Sequence, residues 1–317
     1  MTSENDDKLL VRVAEMYYLE EKTQSQISKE LGIHRTTISR LLKQARTDHI
    51  VQITINYDLA GTYSIEKEFK ERFKLKNAII IPVAKDASKH QKLSHVAEAA
   101  SVYFKTILTD NQIIGFSWGT ALAEFVNHLD TIQSSHVRCL PLIGGSNGRL
   151  VSDYHVNTIV YEAAKKINAE ALLIDSPAIV PSKKMHDELM RTEYNKILAD
   201  LWNKTDIAIF GIGSSQIADK DRWQNFYGEY AAIIADNKGI GDIVSHFIDE
   251  NGQQVCSEFN ERIIGIDLEK LHKIPERLAI VEGKEKAQAI LSTLKGGYLT
   301  TLVTTEETAQ EILNFID

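Results

Sequence analysis

Seven short apolar runs, separated by stretches of helical periodicity, constrain what this chain can fold into more than any other feature. They are AIIIPVA (78–84), QIIGFSW (112–118), VRCLPLI (137–143), AEALLID (169–175), DIAIFGI (206–212), RLAIVEG (277–283) and YLTTLVT (298–304). A strand with one wet face alternates apolar and polar residues. Most of these runs are apolar throughout, as strands covered on both faces are, and strands that alternate with helices build a largely parallel sheet. An α/β domain is therefore expected. Between Asp242 and Ile266 the pattern changes to IVSHFID, GQQVCS and ERIIGID, with Asn251-Gly252 as a hairpin signal, which predicts an antiparallel excursion inside that domain.

The opening residues follow another rule. Leu9, Leu10, Val13, Met16 and Tyr17 recur at helical spacing and predict a helix over about 7–19. Thr23 and Gln26 have the spacing of a capping box, which opens a second helix from Gln24 to about Leu31 with Ile27 and Leu31 inward. Leu31-Gly32-Ile33 is the turn, and Gly32 is its pivot because glycine tolerates the left-handed backbone that a sharp corner needs. A third helix starts near Arg35 and places Ile38, Leu41, Leu42 and Ala45 in one apolar stripe. HIVQITINYD (49–58) follows as a small wing strand closing the head.

The outer face of that third helix carries Thr36, Arg40, Lys43 and Thr47, flanked by Thr37, Ser39 and Gln44. Cations suit phosphates, and hydroxyls and amides reach base edges in a major groove, so this is the chemistry of a recognition helix. Residues 29–46 hold five cations against Glu30 alone, a local charge of +4 in a chain of net charge −8. Because phosphate contacts supply most non-specific affinity, an acidic protein binds DNA when its docking element is basic. The expected DNA contacts are Gln24, Arg35, Thr36, Thr37, Ser39, Arg40 and Lys43. The plain alternative is an amphipathic helical hairpin with a solvated charged face.

At 317 residues, with 43% hydrophobic and 25% charged residues, the chain has the composition of a two-domain globular protein, divided at residues 1–58 and 59–317. No apolar run approaches the roughly 18 residues of a membrane span, and MTSENDD lacks the features of a signal peptide, so a cytoplasmic protein is expected. Cys139 and Cys256 lie far apart in apolar runs and read as buried free thiols; no metal or cofactor motif is present. Ile65, Phe69 and Phe73 form a stripe on a helix over 63–74, which packs on its own domain or pairs two chains.

In open α/β sheets ligands lie beyond the carboxyl ends of the strands, where loops run into helix N-termini whose free N–H groups favour anions. Four loops stand out. Ser117-Trp118-Gly119-Thr120 supplies hydroxyls and a close backbone approach, or is a plain N-cap. Gly144-Gly145-Ser146-Asn147-Gly148 can form a backbone N–H nest, or is a flexible turn, with His155 and Asn157 beginning the next helix over the same crevice. Gly211-Ile212-Gly213-Ser214-Ser215 is a fragment of a dinucleotide fingerprint without the rest of it. Glu282-Gly283-Lys284-Glu285-Lys286 puts cations into a first helical turn, where they oppose the dipole unless an anion sits nearby; Lys286 is a phosphate candidate or a solvated lysine. Asp242 accepts from sugar hydroxyls or caps a helix. A phosphorylated sugar fits this set best.

With these residues in place, the chain resembles the SorC family of sugar-sensing bacterial transcriptional regulators over almost its whole length. The resemblance is carried, in order, by YYLEEKTQSQISKELGIHRTTISRLLKQAR, GFSWGTAL, LIGGSNG with HVNTI, FGIGS, GDIVSHFID with NERIIGI, and GKEKAQAILSTLKGGYLTTLVT. Several of these look most like the sorbitol and sorbose branch. The resemblance implies a winged-type helix-turn-helix head and an effector domain similar in fold to sugar-phosphate isomerases and deaminases. It also implies a homodimer or homotetramer on operator DNA and a phosphorylated sugar as inducer. By position, Gly119 and Thr120 match the phosphate-facing loop, Gly144 and Gly145 the nest, His155, Asn157 and Asp242 the sugar-facing groups, and Lys286 the cationic contact. Two departures matter: Ile143 stands where some relatives have a lysine or arginine, and Ala121 where relatives can have a second hydroxyl. The leading expectation is a non-enzymatic regulator. The alternatives are a sugar-phosphate isomerase or deaminase, for which only Asp242, His155 and Glu282 are available as a base, and a site-specific recombinase, which needs a nucleophilic serine in a basic cluster.

Overall fold

The computed structural model describes residues 3–51, 61–84, 86–146, 152–215, 227 and 230–316. The chain divides into two compact units, Met1–Tyr57 and Asp58–Asp317. No helix among the described residues is long and apolar enough to cross a membrane.

The first unit packs three helices, α1 (Ser3–Tyr18), α2 (Gln24–Leu31) and α3 (Arg35–Thr47). α1 starts before the apolar spacing indicates, because periodicity marks only the part of a helix that meets a core. The capping box forms: Gln26 N donates to Thr23 Oγ1 at 3.3 Å and Thr23 N to Gln26 Oε1 at 2.8 Å. α2 ends at Gly32 with φ 65°, the left-handed conformation the turn requires. The core gathers Leu10, Val13, Ala14 and Met16 from α1, Ile27 from α2, and Ile38, Leu41, Leu42 and Ala45 from α3. Tyr17, expected inward, is exposed, and Ala14 takes the inward place. Most of the expected wing strand, from residue 52 on, lies outside the described residues.

The second unit opens with α4 (Tyr63–Phe73), which lies against β1 (Asn77–Ile81). Phe69 is fully buried there, so the aromatic stripe packs on its own unit. Glu66 Oε1 accepts from Ile80 N at 2.9 Å, placing a carboxylate on the backbone of β1. There follow α5 (Lys89–Ile107), β2 (Ile113–Phe116), α6 (Thr120–His128), β3 (Arg138–Pro141), α7 (Val156–Lys166), β4 (Glu170–Ala171), α8 (Lys183–Met190), α9 (Glu193–Trp202) and β5 (Ile207–Phe210). The remaining strands are β6 (Gly213–Ser214), β7 (Gly241–Ile243), β8 (His246–Ile248), β9 (Glu276–Ile280) and β10 (Thr301–Thr305).

All seven apolar runs enter one sheet of order β1-β10-β9-β5-β2-β3-β4, and every pairing in it is parallel. The fourth run shrinks to two residues because its continuation is held otherwise: Asn157 Nδ2 donates to Ile174 O at 2.9 Å and Ile174 N donates to Asn157 Oδ1 at 3.0 Å. β7 and β8 form an antiparallel pair within the stretch expected to leave the parallel sheet, and β6, from outside that stretch, joins them, whereas ERIIGID makes only isolated bridges, Gly265 to Ile143 and Ile263 to Ile179. The tightest turn of the excursion is Val244-Ser245, with φ of 50° and 64° at two residues that carry no turn signal. Asn251-Gly252 makes a second turn, after which Gln254 bridges back to Ile248. Cys139 and Cys256 are buried free thiols, and burial pushes both upward in pKa.

Candidate functional site

In the head, α3 buries its apolar stripe and turns Arg35, Thr36, Ser39, Arg40 and Lys43 outward, with Thr37 and Gln24 half-buried beside them. Among the described residues none of Arg35, Arg40, Lys43 or Arg46 is in an ion pair, whereas Lys22 and Arg12 are tied to glutamates. Lys22 Nζ lies 2.6 Å from Glu30, the one acid in the basic stretch, and neutralises it from outside that stretch. The α3 cations are therefore held by no acid among the described residues, and the helix has no side-chain cap at His34 to compete with an anion at its N-terminus.

In the second unit the four loops singled out by their composition follow β2, β3, β5 and β9, which are consecutive in the order β9-β5-β2-β3. The chain steps from β2 to β3 and β4 on one side and then crosses to place β5 on the other side of β2, so a topological switch point falls between β2 and β5. The loops thus line one crevice at the carboxyl ends. A polar cleft lined by Asn111, His136, Arg138, Asn168 and Glu170 lies at the opposite ends of β3 and β4 and contains none of the expected site residues.

Over β2, Ser117 is buried and its N–H donates to Ile209 O at 3.0 Å. Gly119, with φ 112°, precedes Thr120 at the start of α6, and no side chain caps that helix. Gly119 N donates to Tyr154 O, and Ala123 N returns to Gly119 O, but the N–H groups of Thr120, Ala121 and Leu122 meet no acceptor among the described residues. Three free N–H groups at a helix N-terminus are suited to an anion.

Over β3 the two glycines expected to open an N–H nest have their amides engaged, while Asn147 and Gly148 lie outside the described residues. Gly144 N donates to Ile264 O and Gly145 N to Ser176 O, each at 2.8 Å, so both amides are taken by backbone carbonyls. Glycine is needed at Gly144 for close approach instead: a Cβ there would lie 2.6 Å from the backbone of Pro177. Ser146 is fully buried and its hydroxyl has no partner among the described residues. His155 caps α7, its Nδ1 accepting from Asn157 N at 3.3 Å, while Nε2 faces Ser146 N at 3.4 Å. A neutral imidazole has one acceptor nitrogen, so either bond excludes the other. Burial lowers the pKa of His155 and favours that neutral ring. Asn157 is engaged by its two bonds to Ile174.

Over β5 and β9 the ionisable groups converge. Asp242 sits in β7 opposite Gly213 rather than at a helix start, and a methyl at Gly213 would overlap its carboxylate. It is 7% exposed, and burial pushes it up to about 6, opposed by Lys286, the backbone N–H of Ser245 and the Tyr227 hydroxyl. Tyr227 Oη lies 3.4 Å from Asp242 and 2.7 Å from Ser245 Oγ. Lys286 is partly buried, and its Nζ donates to Ile212 O at 3.2 Å, tying the β9 loop to the β5 loop. Burial lowers its pKa and Lys89 adds to that, while Glu285, Asp242 and Glu282 oppose. Lys286 thus stands among carboxyls. Tyr227 and Ser245 had no motif to announce them; they belong to the site only because the excursion folds them onto Asp242. Among the described residues no group of three or more His, Cys, Asp or Glu is placed to hold a metal ion.

Two family models match this chain: "Putative sugar-binding domain" over residues 57–314 and "Sigma-70, region 4" over residues 12–48. The sorbitol operon regulator of Klebsiella pneumoniae is 38% identical over 315 residues, covering 99% of this chain and 100% of that protein. The transcriptional regulator LsrR of Escherichia coli is 29% identical over 313 residues, covering 97% and 95%. The crystal structure of full-length SorC from Klebsiella pneumoniae superposes with a TM-score of 0.83 at 38% identity, over 97% of this chain and 99% of that one. A transcriptional regulator from Streptococcus pneumoniae does so at 0.77 and 29% identity, over 82% and 99%.

Proposed function

Since the chain belongs to the SorC family of sugar-binding transcriptional regulators, and is a sugar-responsive regulator rather than an enzyme, we propose that its effector is a phosphorylated sugar or polyol, of the sorbitol or sorbose phosphate kind. The observation that carries this reading is the uncapped N-terminus of α6: three N–H groups without an acceptor among the described residues, on the β2 side of the switch point. The phosphate sits there, beside Ser117, Gly119 and Thr120. The carbon chain then runs over β5 toward β9, where Asp242 and Lys286 take its hydroxyls. Lys286 serves the hydroxyl end because neighbouring carboxyls already balance its charge. Ser146 offers a buried hydroxyl over β3, while Gly144, Gly145, His155 and Asn157 hold the wall of the crevice through their backbone and cap bonds.

Residues 1–58 form the DNA-binding domain and residues 59–317 the effector and oligomerisation domain, in a cytoplasmic homodimer or homotetramer. On operator DNA, Thr36, Ser39, Arg40 and Lys43 face the groove, and Arg35 lies on the backbone, with Gln24 and Thr37 at the margins. The effector acts as a population shift, binding one arrangement of the assembly better than the other. A thermal-shift panel tests the reading. A ligand that binds only the folded state adds about 2.7 kcal/mol at a hundred times its Kd. D-glucitol or L-sorbose carrying a terminal phosphate is expected to raise the melting temperature, and the same sugars without phosphate are not. Equal shifts from both would remove the phosphate from the reading.

A further inference from the structure

Glu282 lies two residues past the end of β9 and is 7% exposed. The backbone around it is pinned, with Val281 N donating to Val303 O and Gly283 N to Thr308 Oγ1, each at 3.1 Å. Its charged neighbours are Glu285, Lys89, Lys92 and Lys286. Each ammonium group is engaged elsewhere: Lys89 with Glu285 at 2.6 Å, Lys92 with Glu307, and Lys286 with Ile212 O at 3.2 Å. Among the described residues no N–H or O–H donates to the Glu282 carboxyl. The carboxyl oxygens are not among the fully enclosed polar atoms that lack a partner, so they remain open to a donor from outside the chain.

Its position supplies one. Lys286, whose Nζ bonds Ile212 O over β5, is close enough to feel the charges of both Glu282 and Asp242, and Glu282 itself follows β9 on the carboxyl-end side of the sheet. β9 lies two strands from β2, a lateral distance of about 10 Å at the usual strand spacing. That is about the span of an extended hexitol whose phosphate rests on α6. We propose that Glu282 is an effector-contact residue, whose carboxyl accepts a hydrogen bond from the hydroxyl at the end of the polyol remote from the phosphate and so selects ligands that carry one there. The proposal rests on the polyol-phosphate reading of the crevice. It assigns Glu282 to ligand discrimination and leaves the phosphate to α6.

The test is isothermal titration of the full-length chain and its Glu282→Ala and Glu282→Gln variants. The probes are D-glucitol phosphorylated at one terminal carbon, the same molecule lacking the hydroxyl at the other end, and inorganic phosphate. Removing one hydrogen bond to a charged group is worth about tenfold or more in affinity. The wild type is expected to prefer the complete polyol phosphate by that factor. Glu282→Ala should lose the preference by weakening the complete ligand alone, with inorganic phosphate unaffected, and Glu282→Gln should fall between. A Glu282→Ala variant that keeps the preference, or weakens both polyol phosphates equally, overturns the assignment. A wild type that binds neither polyol phosphate overturns the reading of the crevice, and Glu282 falls with it. Melting temperatures without ligand give a second arm: Glu282→Gln should match or exceed the wild type, and a clear drop would make Glu282 structural and sink the proposal.

Discussion

Asp242→Asn replaces the most strongly perturbed carboxyl of the crevice with an amide of the same shape. In the folded chain the carboxyl is pushed up to about 6, chiefly by burial, from the 3.8 of an unperturbed aspartate. Between those two values the folded chain keeps a proton that the unfolded chain has lost, so this group makes stability fall as pH rises through the window. A displacement of about 2 units corresponds to about 3 kcal/mol at about 1.4 kcal/mol per unit, with nothing lost below the unfolded value and all of it lost above about pH 7. The amide carries no such proton. Relative to the wild type, Asp242→Asn should therefore gain about 2 kcal/mol between about pH 4.5 and about pH 7.5. At about 2–4 °C per kcal/mol for a unit of this size, the difference between the two melting temperatures should widen by about 4–8 °C in the variant's favour. Groups that titrate identically in both chains cancel in this difference. Tyr227, 3.4 Å from the carboxyl, is pushed upward and away from the window. Differential scanning calorimetry of both chains without ligand reads the result. A difference that stays constant with pH, or narrows as pH rises, would refute the burial argument.

Arg40→Ala should weaken operator binding by about tenfold and, where the guanidinium holds a phosphate, lower the slope of log affinity against log salt by about one. Fluorescence anisotropy over a salt series measures both, and unchanged affinity would remove the outer face of α3 from the DNA interface. Gly213→Ala puts a methyl into the space of the Asp242 carboxylate and should weaken effector binding while operator binding without effector stays at wild-type level. Wild-type effector affinity in calorimetry would separate the β6–β7 pair from the crevice.

Features encoded by near neighbours were legible before folding. Thr23 with Gln26, Gly32, and the stripe Ile38, Leu41, Leu42 and Ala45 all formed as read, because caps, turns and helical faces depend on residues a few positions apart. The seven apolar runs were legible as strands for the same reason. Their order was not, since β1 beside β10 is a pairing of the first strand with the last. The glycines at 144 and 145 show the limit most clearly: composition made them a nest, but their amides are claimed by Ile264 and Ser176, and no local pattern reveals who reaches a given N–H. Val244-Ser245 turned without glycine or asparagine because the hairpin around it imposed the geometry. Tyr227 reached Asp242 through the fold alone.

The two lateral margins of the main sheet have a consequence for how copies of the chain meet. Open margins of a sheet recruit foreign strands through their unpaired N–H and C=O groups. On one margin Glu66 occupies the Ile80 N–H and α4 lies alongside; on the other, β4 stops after two residues. The Glu66 carboxylate acts as a dummy neighbour that fills a place where another strand would dock, and the shortness of β4 leaves little to dock against. A sheet so protected does not readily grow by adding strands of another copy, which leaves side-chain surfaces for any contact between copies.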